Sequence, residues 1–539
     1  MFDPYWRARA LSRLGEPFDV VVLGGGITGA GCLLDAAQRG LRVLLVEKDD
    51  IASGTSSRSS KLIHGGLRYL KQMQFRVTRL ACRERDRMLQ LSPHLVHPVP
   101  FLYPAYEGDR TPGWQVDLGL WMYDRLTSGS QRHTQVSPEE LQEVAPGLRT
   151  EDLDRALRYG DALTDDARLT LAVAATGFAY GGLVLTRAAA EEGMEDPDGR
   201  LVGVVIRDLE SGATHRVRAS LVLNATGHWV DRVRERFGRT GQRVRPSRGV
   251  HLVLPADLLP LRAAVAVASP DDGRPVFLIP HPEGVLVGTT DLYHDGSLDD
   301  PRATAEEVIY LLRVLAHAFP DRPIDRSAVL GVFAGLRPIV DLDSDSPSKA
   351  SREEEIWEEE GLLSVAGGKL TTYRVTAAEA VDRAVALLPP ERRDEIGPSA
   401  TDGTPLVGLA PRDLDERLGA SRGVAPAVAA GMARRLGALS WAALDLAADE
   451  RDLEPLVEGS DLCAAEVRTH LRHGAVARLE DLLLRRVRVG MWDPPRAREL
   501  VPALRPAVAF AMGWDALRWD QEVERLDQAL LAWSPEGVR

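Results

Sequence analysis

Six residues, Gly24-Gly25-Gly26-Ile27-Thr28-Gly29, carry the spacing G-x-G-x-x-G. Gly24 permits a tight turn, Gly26 lets a pyrophosphate approach the backbone, and Gly29 lets a helix lie close on a strand. The helix that begins here, with Thr28 in its first turn, presents its N-terminus to phosphate charge. Glu47 stands 18 residues after Gly29. A carboxylate there accepts ribose hydroxyls and repels a 2′-phosphate. This is dinucleotide chemistry, and three later segments favour FAD over NAD. NATGHW (224–229) follows a buried strand and offers Ala225 and Gly227 as a second dinucleotide-contacting turn. GTTD (288–291) is another small-residue turn. AGGKLTTYR (366–374) opens a helix with glycines. Its N–H groups, around Gly368, Lys369, Leu370 and Thr371, face the pyrimidine edge of a flavin, where negative charge gathers on reduction.

The stretch GTSSRSSKLIHGGLRYL (54–70) follows closely on Glu47. It is expected to run as a strap from the ribose along the pyrophosphate to the isoalloxazine ring. Thr55, Ser56, Ser57, Ser59 and Ser60 let the backbone lie close to the cofactor while offering donors. Lys61, Leu62 and His64 are expected beside the cofactor too. Gly65 and Gly66 let the chain pass the ring without a side chain in the way.

The elements that must position these groups are legible as patterns. FDVVVL, the glycine turn, a helix from about Gly29 to Arg39 stopped by Gly40, and a second strand from Arg42 to Val46 make a βαβ unit. The first strand is apolar throughout from Val20 to Leu23, as a doubly covered parallel strand is. HPVPFLYPAY reads as extended, and RGVHLVLP, RPVFLIPHPEGVLVGTTD and LGVFAGLRPIV as strands with turns between them. Beyond a loop-rich linker at 397–408 the chain is rich in Ala, Leu and Arg with a helical period. The predicted class is α/β with an α+β part. A doubly wound, Rossmann-like FAD-binding domain (about 16–90, 160–245 and 345–395) is interleaved with an antiparallel-sheet substrate domain (about 91–159 and 246–344). A separate all-α domain spans 405–539.

Composition bounds the function. The chain has 539 residues, 44% hydrophobic and 27% charged, and a formal net charge of −13. That suits two or three folded domains and argues against a nucleic-acid partner, which requires a basic face. Cys32, Cys82 and Cys463 are far apart, so neither a disulfide framework nor a metal knuckle is indicated, and a reducing, cytoplasmic setting is expected. His94 and His97, like His470 and His473, are three apart without a carboxylate or thiol at ligand spacing, so no metal is expected. No secretory signal or membrane span is visible. The first 14 residues mix Phe2, Tyr5 and Trp6 with arginines, which suits an interfacial segment or an arm folded back on the protein. From Arg58 to Arg87, nine Lys or Arg oppose only Glu84 and Asp86. Part of that excess is expected to face an anion, either substrate or lipid headgroups, unless it is one solvated helix face.

Seven stretches taken in order, from VVLGGGITGAGCLLDAAQRGL through GTSSRSSKLIHGGLRYL, DDARL, NATGHWV, FLIPHPEGVLVGTTD and GLRPIVDLDSDSPSKASRE to LLSVAGGKLTTYR, resemble the FAD-dependent, aerobic respiratory glycerol-3-phosphate dehydrogenases, within the D-amino-acid-oxidase-like flavoproteins. The resemblance runs from about 18 to 375, with the helical tail matching more loosely. It implies FAD as cofactor, and oxidation of sn-glycerol 3-phosphate to dihydroxyacetone phosphate by hydride transfer from C2 to flavin N5. Electrons then pass to a membrane quinone from a site at the inner face of the cell membrane, and a homodimer is possible. By resemblance, Arg68, Arg352 and Lys369 hold the phosphate, Tyr69 and His64 border the substrate, and Arg337 faces the reacting oxygen. His251 is favoured over His64 as the base. Oxygen-using oxidases of the family carry an extra segment in the later part of the substrate domain. Here SREEEIWEEEGLLSVAGG leaves no room for it, which favours the quinone reading over an oxidase making hydrogen peroxide. An amino-acid oxidase would want a carboxylate clamp and an apolar pocket. A flavin-binding scaffold would have lost the base or the phosphate cations. An NAD(P)-dependent dehydrogenase of the same substrate would bring its own helical substrate domain.

Overall fold

A computed structural model describes residues 1–67, 74–127, 132–342, 344, 347, 354–421 and 423–539. Its frame is two sheets that exchange the chain repeatedly. In the first sheet five parallel strands run in the order Leu362–Ala366, Thr214–Asn224, Phe18–Leu23, Val43–Val46 and Leu183–Leu185. Phe18–Leu23 is buried at every position, as a strand flanked and covered on both faces must be. Glu355–Glu359 adds antiparallel at one edge, and Ala188–Glu195 and Leu201–Asp208 extend the sheet from Thr214–Asn224. The helix Ile27–Gln38 lies against this sheet, with Asp166–Ala179 and Tyr373–Ala386 beside it.

The second sheet has ten strands, and almost every pairing in it is antiparallel. Val96–Tyr106 and Leu153–Thr164 form its long hairpin, and Arg245–Leu254 pairs with both Gly284–Gly288 and Gly331–Ile339. The strap crosses from one sheet to the other. After Val43–Val46, an interior strand of the first sheet, Leu62–Ile63 pairs with Leu163 and Ala162 at the rim of the second. The expected domain boundary near 160 therefore falls inside Leu153–Thr164, whose ladder stays in the second sheet to its end.

Residues beyond the linker are helical, as the period predicts. They are less separate than expected. Leu414 to Ala465 form a small core of their own, but Leu462 to Trp533 share one core with Phe101, Tyr159 and Phe333 of the second sheet. Buried ion pairs stitch the same junction. Asp50 takes Arg485 and Arg486, and Asp481 takes Arg187 and Arg485. The N-terminal arm folds back on the protein: Phe2 and Trp6 are buried in the first core, and the helix Trp6–Ser12 carries Ala10 inward.

Candidate active site

The glycine turn joins the first strand to its helix. Gly24 has φ +104°, and a Cβ there would sit 2.7 Å from the Ala225 carbonyl oxygen. A Cβ on Gly29 would collide with the Gly24 carbonyl. Both glycines are thus required by packing before any ligand is considered. Gly24, Gly26 and Thr28 open onto a cleft of about 730 Å³, and the helix N-terminus points into it. At one end Glu47 caps the turn, accepting from Gly25 N–H (2.6 Å) and Asp49 N–H (2.7 Å). Burial, and then the Asp49 charge, push its carboxyl up to about 7.

The cleft then passes Ala225, Gly227 and Trp229, and ends at Pro338 and Gly367 to Leu370. Gly367 and Gly368 both have positive φ, near +80°, which presents the Lys369–Leu370 backbone at the mouth of the helix that follows. An elongated dinucleotide with a ring system at its far end fits this shape. Small residues line the floor, a helix dipole lies at the middle, and a second glycine turn closes the end.

Of the strap, Thr55, Ser56 and Ser59 line the cleft. Ser56 Oγ accepts from Ile27 N–H (2.9 Å), tying the strap to the glycine turn. Ser57, Ser60, Lys61, Leu62, His64, Gly65 and Gly66, all expected at the cofactor, are not among the residues that line it, and of these Ser57, Lys61 and Leu62 are buried side chains. They anchor the strap from beneath. The Lys61 ammonium is buried between Asp166 (2.8 Å) and the Ser57 carbonyl (3.2 Å), and burial lowers its pKa to about 8. Asp166 also accepts from Ser59 N–H (3.0 Å), Ser59 Oγ (2.7 Å) and Arg488 of the helical region (3.0 Å). Gly65 differs from expectation too. Its missing side chain is demanded by Cys82 and Tyr123, which a Cβ would strike. Its N–H donates to Tyr123 Oη (2.9 Å), which itself donates to Asp161 (2.8 Å). Gly66 does take positive φ, +77°. The His64 backbone is held by Thr371, its N–H donating to Oγ1 at 3.1 Å.

His251 lies on Arg245–Leu254, buried and stacked on Phe333 with ring centroids 5.0 Å apart. Its Nε2 meets Ser60 Oγ at 2.8 Å, and Nδ1 has no hydrogen-bond partner. Burial, then the charges of Arg337 and Lys61, hold its pKa well below 6.5, so the ring is neutral at pH 7. Arg337 sits on the neighbouring strand and is held by Asp291 (3.1 Å) and Thr289 Oγ1 (3.0 Å). The GTTD turn therefore does not line the dinucleotide cleft; it belongs to the second sheet and aims Arg337. Gly249 makes room for that guanidinium, since a Cβ there would strike it. Ser60 and Arg337 are chain neighbours of the cleft-lining Ser59 and Pro338; neither they nor His251 are among the residues that line the cleft or its Gly367–Leu370 end. Lys369 lines that end directly. Arg68, Tyr69 and Arg352 lie outside the described residues.

Sequence reasoning missed the wall formed by Lys48, Trp229 and Asp299. Lys48 Nζ lies 4.3 Å from the Trp229 ring centre and pairs with Asp299, which accepts from Trp229 Nε1 (3.0 Å). Only the dipeptide Glu47-Lys48 hinted at it, because Asp299 arrives from the other sheet. The histidine pairs serve packing. His94 meets the Val407 carbonyl and His473 the Phe2 carbonyl, and the described residues hold no group of three metal-ligand side chains.

Residues 19–383 match the family model "FAD dependent oxidoreductase", and 399–519 match "C-terminal domain of alpha-glycerophosphate oxidase". The chain is 39% identical to "Glycerol-3-phosphate dehydrogenase 2" of Mycobacterium tuberculosis over 538 residues, covering 96% of this chain and 89% of that one. It is 37% identical to the "Aerobic glycerol-3-phosphate dehydrogenase" of Bacillus subtilis, covering 76% and 74%. Among solved structures, the glycerol-3-phosphate dehydrogenase from Bacillus halodurans complexed with FAD superposes with a TM-score of 0.79 at 29% identity, covering 99% of each chain. The L-alpha-glycerophosphate oxidase from Mycoplasma pneumoniae shares the fold at TM-score 0.55 and 20% identity, over 68% of this chain and 94% of that one. With the glycine turn, Glu47 and the second glycine turn shaping one cleft for FAD, the chain belongs to the FAD-dependent glycerol-3-phosphate dehydrogenase family.

Proposed function

We propose that the protein oxidises sn-glycerol 3-phosphate to dihydroxyacetone phosphate and passes the electrons to a membrane quinone at the inner face of the cell membrane. The observation that supports this chemistry is a buried neutral imidazole, His251, with a fixed guanidinium, Arg337, on the neighbouring strand, whose next residue, Pro338, lines the cleft as Lys369 does. Bound FAD supplies the two-electron acceptor for the hydrogen leaving C2. The substrate hydroxyl proton goes to His251, directly or through the Ser60 hydroxyl that touches Nε2. Arg337 steadies the oxygen as its C–O bond becomes a carbonyl, and its carboxylate and threonine contacts fix it before substrate arrives. Lys369, with Arg68 and Arg352, neutralises the phosphate dianion. By resemblance to the family, Tyr69 and His64 are assigned to the same substrate.

The quinone reading is supported by the hairpin before the second glycine turn. Glu355–Glu359 pairs residue for residue with Leu362–Ala366 across Glu360 and Gly361, which leaves no insertion there. The test is anaerobic addition of glycerol 3-phosphate to the yellow protein. The long-wavelength flavin band should bleach, and a soluble quinone analogue should restore it faster than air does. No bleaching refutes the substrate; rapid recovery in air with peroxide formed makes the protein an oxidase.

A further inference from the structure

Two helices beside the strap carry outward faces that nothing in the cleft explains. Gly113–Asp124 turns Val116, Leu120 and Tyr123 inward and leaves Trp114, Leu118 and Trp121 outward, 57%, 50% and 48% exposed. Their spacing, four and then three, places them on one stripe, and the exposed Arg125 continues it with its guanidinium 4.4 Å from the Trp121 ring centre. Phe75–Leu91 lies against the same buried contact, through Cys82 and Tyr123. Its outer face carries Arg76, Arg79 and Arg83, all exposed and without a carboxylate partner among the described residues. The acids of both helices are already taken. Glu84 holds Arg374 and Arg87, Asp86 holds Arg85, Asp117 holds Arg155, and Asp124 holds His133.

We infer that this pair of helices is the face by which the protein docks on an anionic lipid bilayer. Trp114, Leu118 and Trp121 enter the interface, and Arg76, Arg79, Arg83 and Arg125 meet lipid phosphates. Two rings and a leucine standing half out of the protein, with Arg125 continuing their stripe and three arginines on the adjoining helix without a carboxylate partner among the described residues, are what an interfacial surface presents. The stripe amounts to roughly 300 Å² of apolar surface. A stable dimer buries about 800 Å² on each partner, so a second copy is the poorer occupant. Phe510 and Leu517, which are also strongly exposed, lie in a stretch with exposed Asp515 and Asp520, which anionic headgroups repel. No helix among the described residues is long and apolar enough to cross a membrane, so docking from one side is the geometry left to such a face. The purpose of docking rests on the quinone reading above, but the docking itself is measured without quinone.

The experiment is flotation of the full-length, FAD-loaded protein with phosphatidylglycerol-containing vesicles and, separately, with phosphatidylcholine vesicles. The wild type should float with the anionic vesicles. Trp114→Ser/Leu118→Ser/Trp121→Ser should lower that binding by more than about tenfold. Arg76→Gln/Arg79→Gln/Arg83→Gln should abolish the anionic preference and its sensitivity to salt. Phe510→Ser/Leu517→Ser should bind as wild type does. All variants should keep their flavin and their glycerol 3-phosphate:dye activity in solution, because none of these side chains lines the cleft. A wild type that reduces the dye but does not float, or a triple serine variant that floats unchanged, overturns the docking face. Conversion of a sedimenting dimer to a monomer by the serine variant, with vesicle binding intact, assigns the stripe to self-association and also overturns it. Flotation without substrate-driven dye reduction refutes the proposed reaction and leaves the face standing.

Discussion

Asp166→Asn probes how the strap is held. The native carboxylate is fully buried and gathers five donors: Lys61 Nζ, Arg488 Nη2, Ala167 N–H, Ser59 N–H and Ser59 Oγ, all between 2.7 and 3.0 Å. An amide offers one oxygen with two lone pairs, and its NH₂ must face groups that are themselves donors. Lys61 loses its only carboxylate, and Arg488 keeps only Asp165, at 3.2 Å. Removing one partner of a buried ion pair costs about 3–5 kcal/mol, because an uncompensated charge stays behind. Lys61→Met is the contrasting change. Asp166 then retains Arg488 and three hydrogen-bond donors, and the methionine fills the stem's space beside Phe333, so the loss is about 1–2 kcal/mol. Adding Lys61→Met to Asp166→Asn should recover part of the larger loss, a coupling that a double-mutant cycle reads directly. Because Ser59 and Ser60 move with the carboxylate, Asp166→Asn should also shed FAD. The assays are urea unfolding followed by far-UV circular dichroism and the flavin absorbance per polypeptide after gel filtration. If Asp166→Asn unfolds within about 1 kcal/mol of wild type with its flavin retained, or if Lys61→Met costs as much, the strap is not held in this way.

Other expectations are simpler to state. His251→Asn should slow anaerobic flavin reduction by about 10²–10⁴-fold with little change in substrate affinity. The wild-type reduction rate should hold as pH falls past 6.5, since the folded protein keeps His251 neutral there; an acid limb centred at 6.5 would contradict its burial. Gly65→Ala forces a methyl into Cys82 and Tyr123 and should cost about 1–3 kcal/mol by thermal unfolding, while the double change with Tyr123→Phe recovers little, because Cys82 remains. In the helical region burial opposes ionisation of Glu466, but Arg435 at 2.6 Å outweighs it and holds the carboxyl at about 2 against an ordinary 4.5. That pair is worth about 3 kcal/mol above pH 4.5, lost as pH falls towards 2. Arg435→Met should flatten this stretch of the stability curve.

What the sequence disclosed was local. Gly25, Gly26, Gly29 and Glu47 act through neighbours within thirty residues, so their roles could be read from spacing alone, whereas Gly24 also answers to the distant Ala225 carbonyl. The same is true of the glycines before Lys369. What it hid depends on partners far along the chain. Gly65 is small because of Tyr123, 58 residues on; Thr289 and Asp291 serve Arg337 rather than a nucleotide; and Asp299 comes from the other sheet to close on Lys48. Helical periodicity located the C-terminal region but not its sharing of a core with Phe101 and Phe333, because an apolar stripe does not say which surface covers it.

The strand order of the parallel sheet governs how the protein is made. Phe18–Leu23 and Val43–Val46 leave the ribosome early, but the strands on the other side, Thr214–Asn224 and Leu362–Ala366, come far later. So does Tyr373–Ala386, whose Tyr373 and Ala377 close on Gly31. At about 5–20 residues per second, some 9–36 s separate the second strand from Thr214–Asn224, the strand that covers the far edge of Phe18–Leu23. During that interval a strand apolar at every position but Asp19 has a bare edge, the kind that pairs with other chains. Nascent chains that stop before residue 366 carry a complete glycine motif and no cleft. Cellular FAD can protect only a polypeptide synthesised past residue 376, the last that lines the cleft.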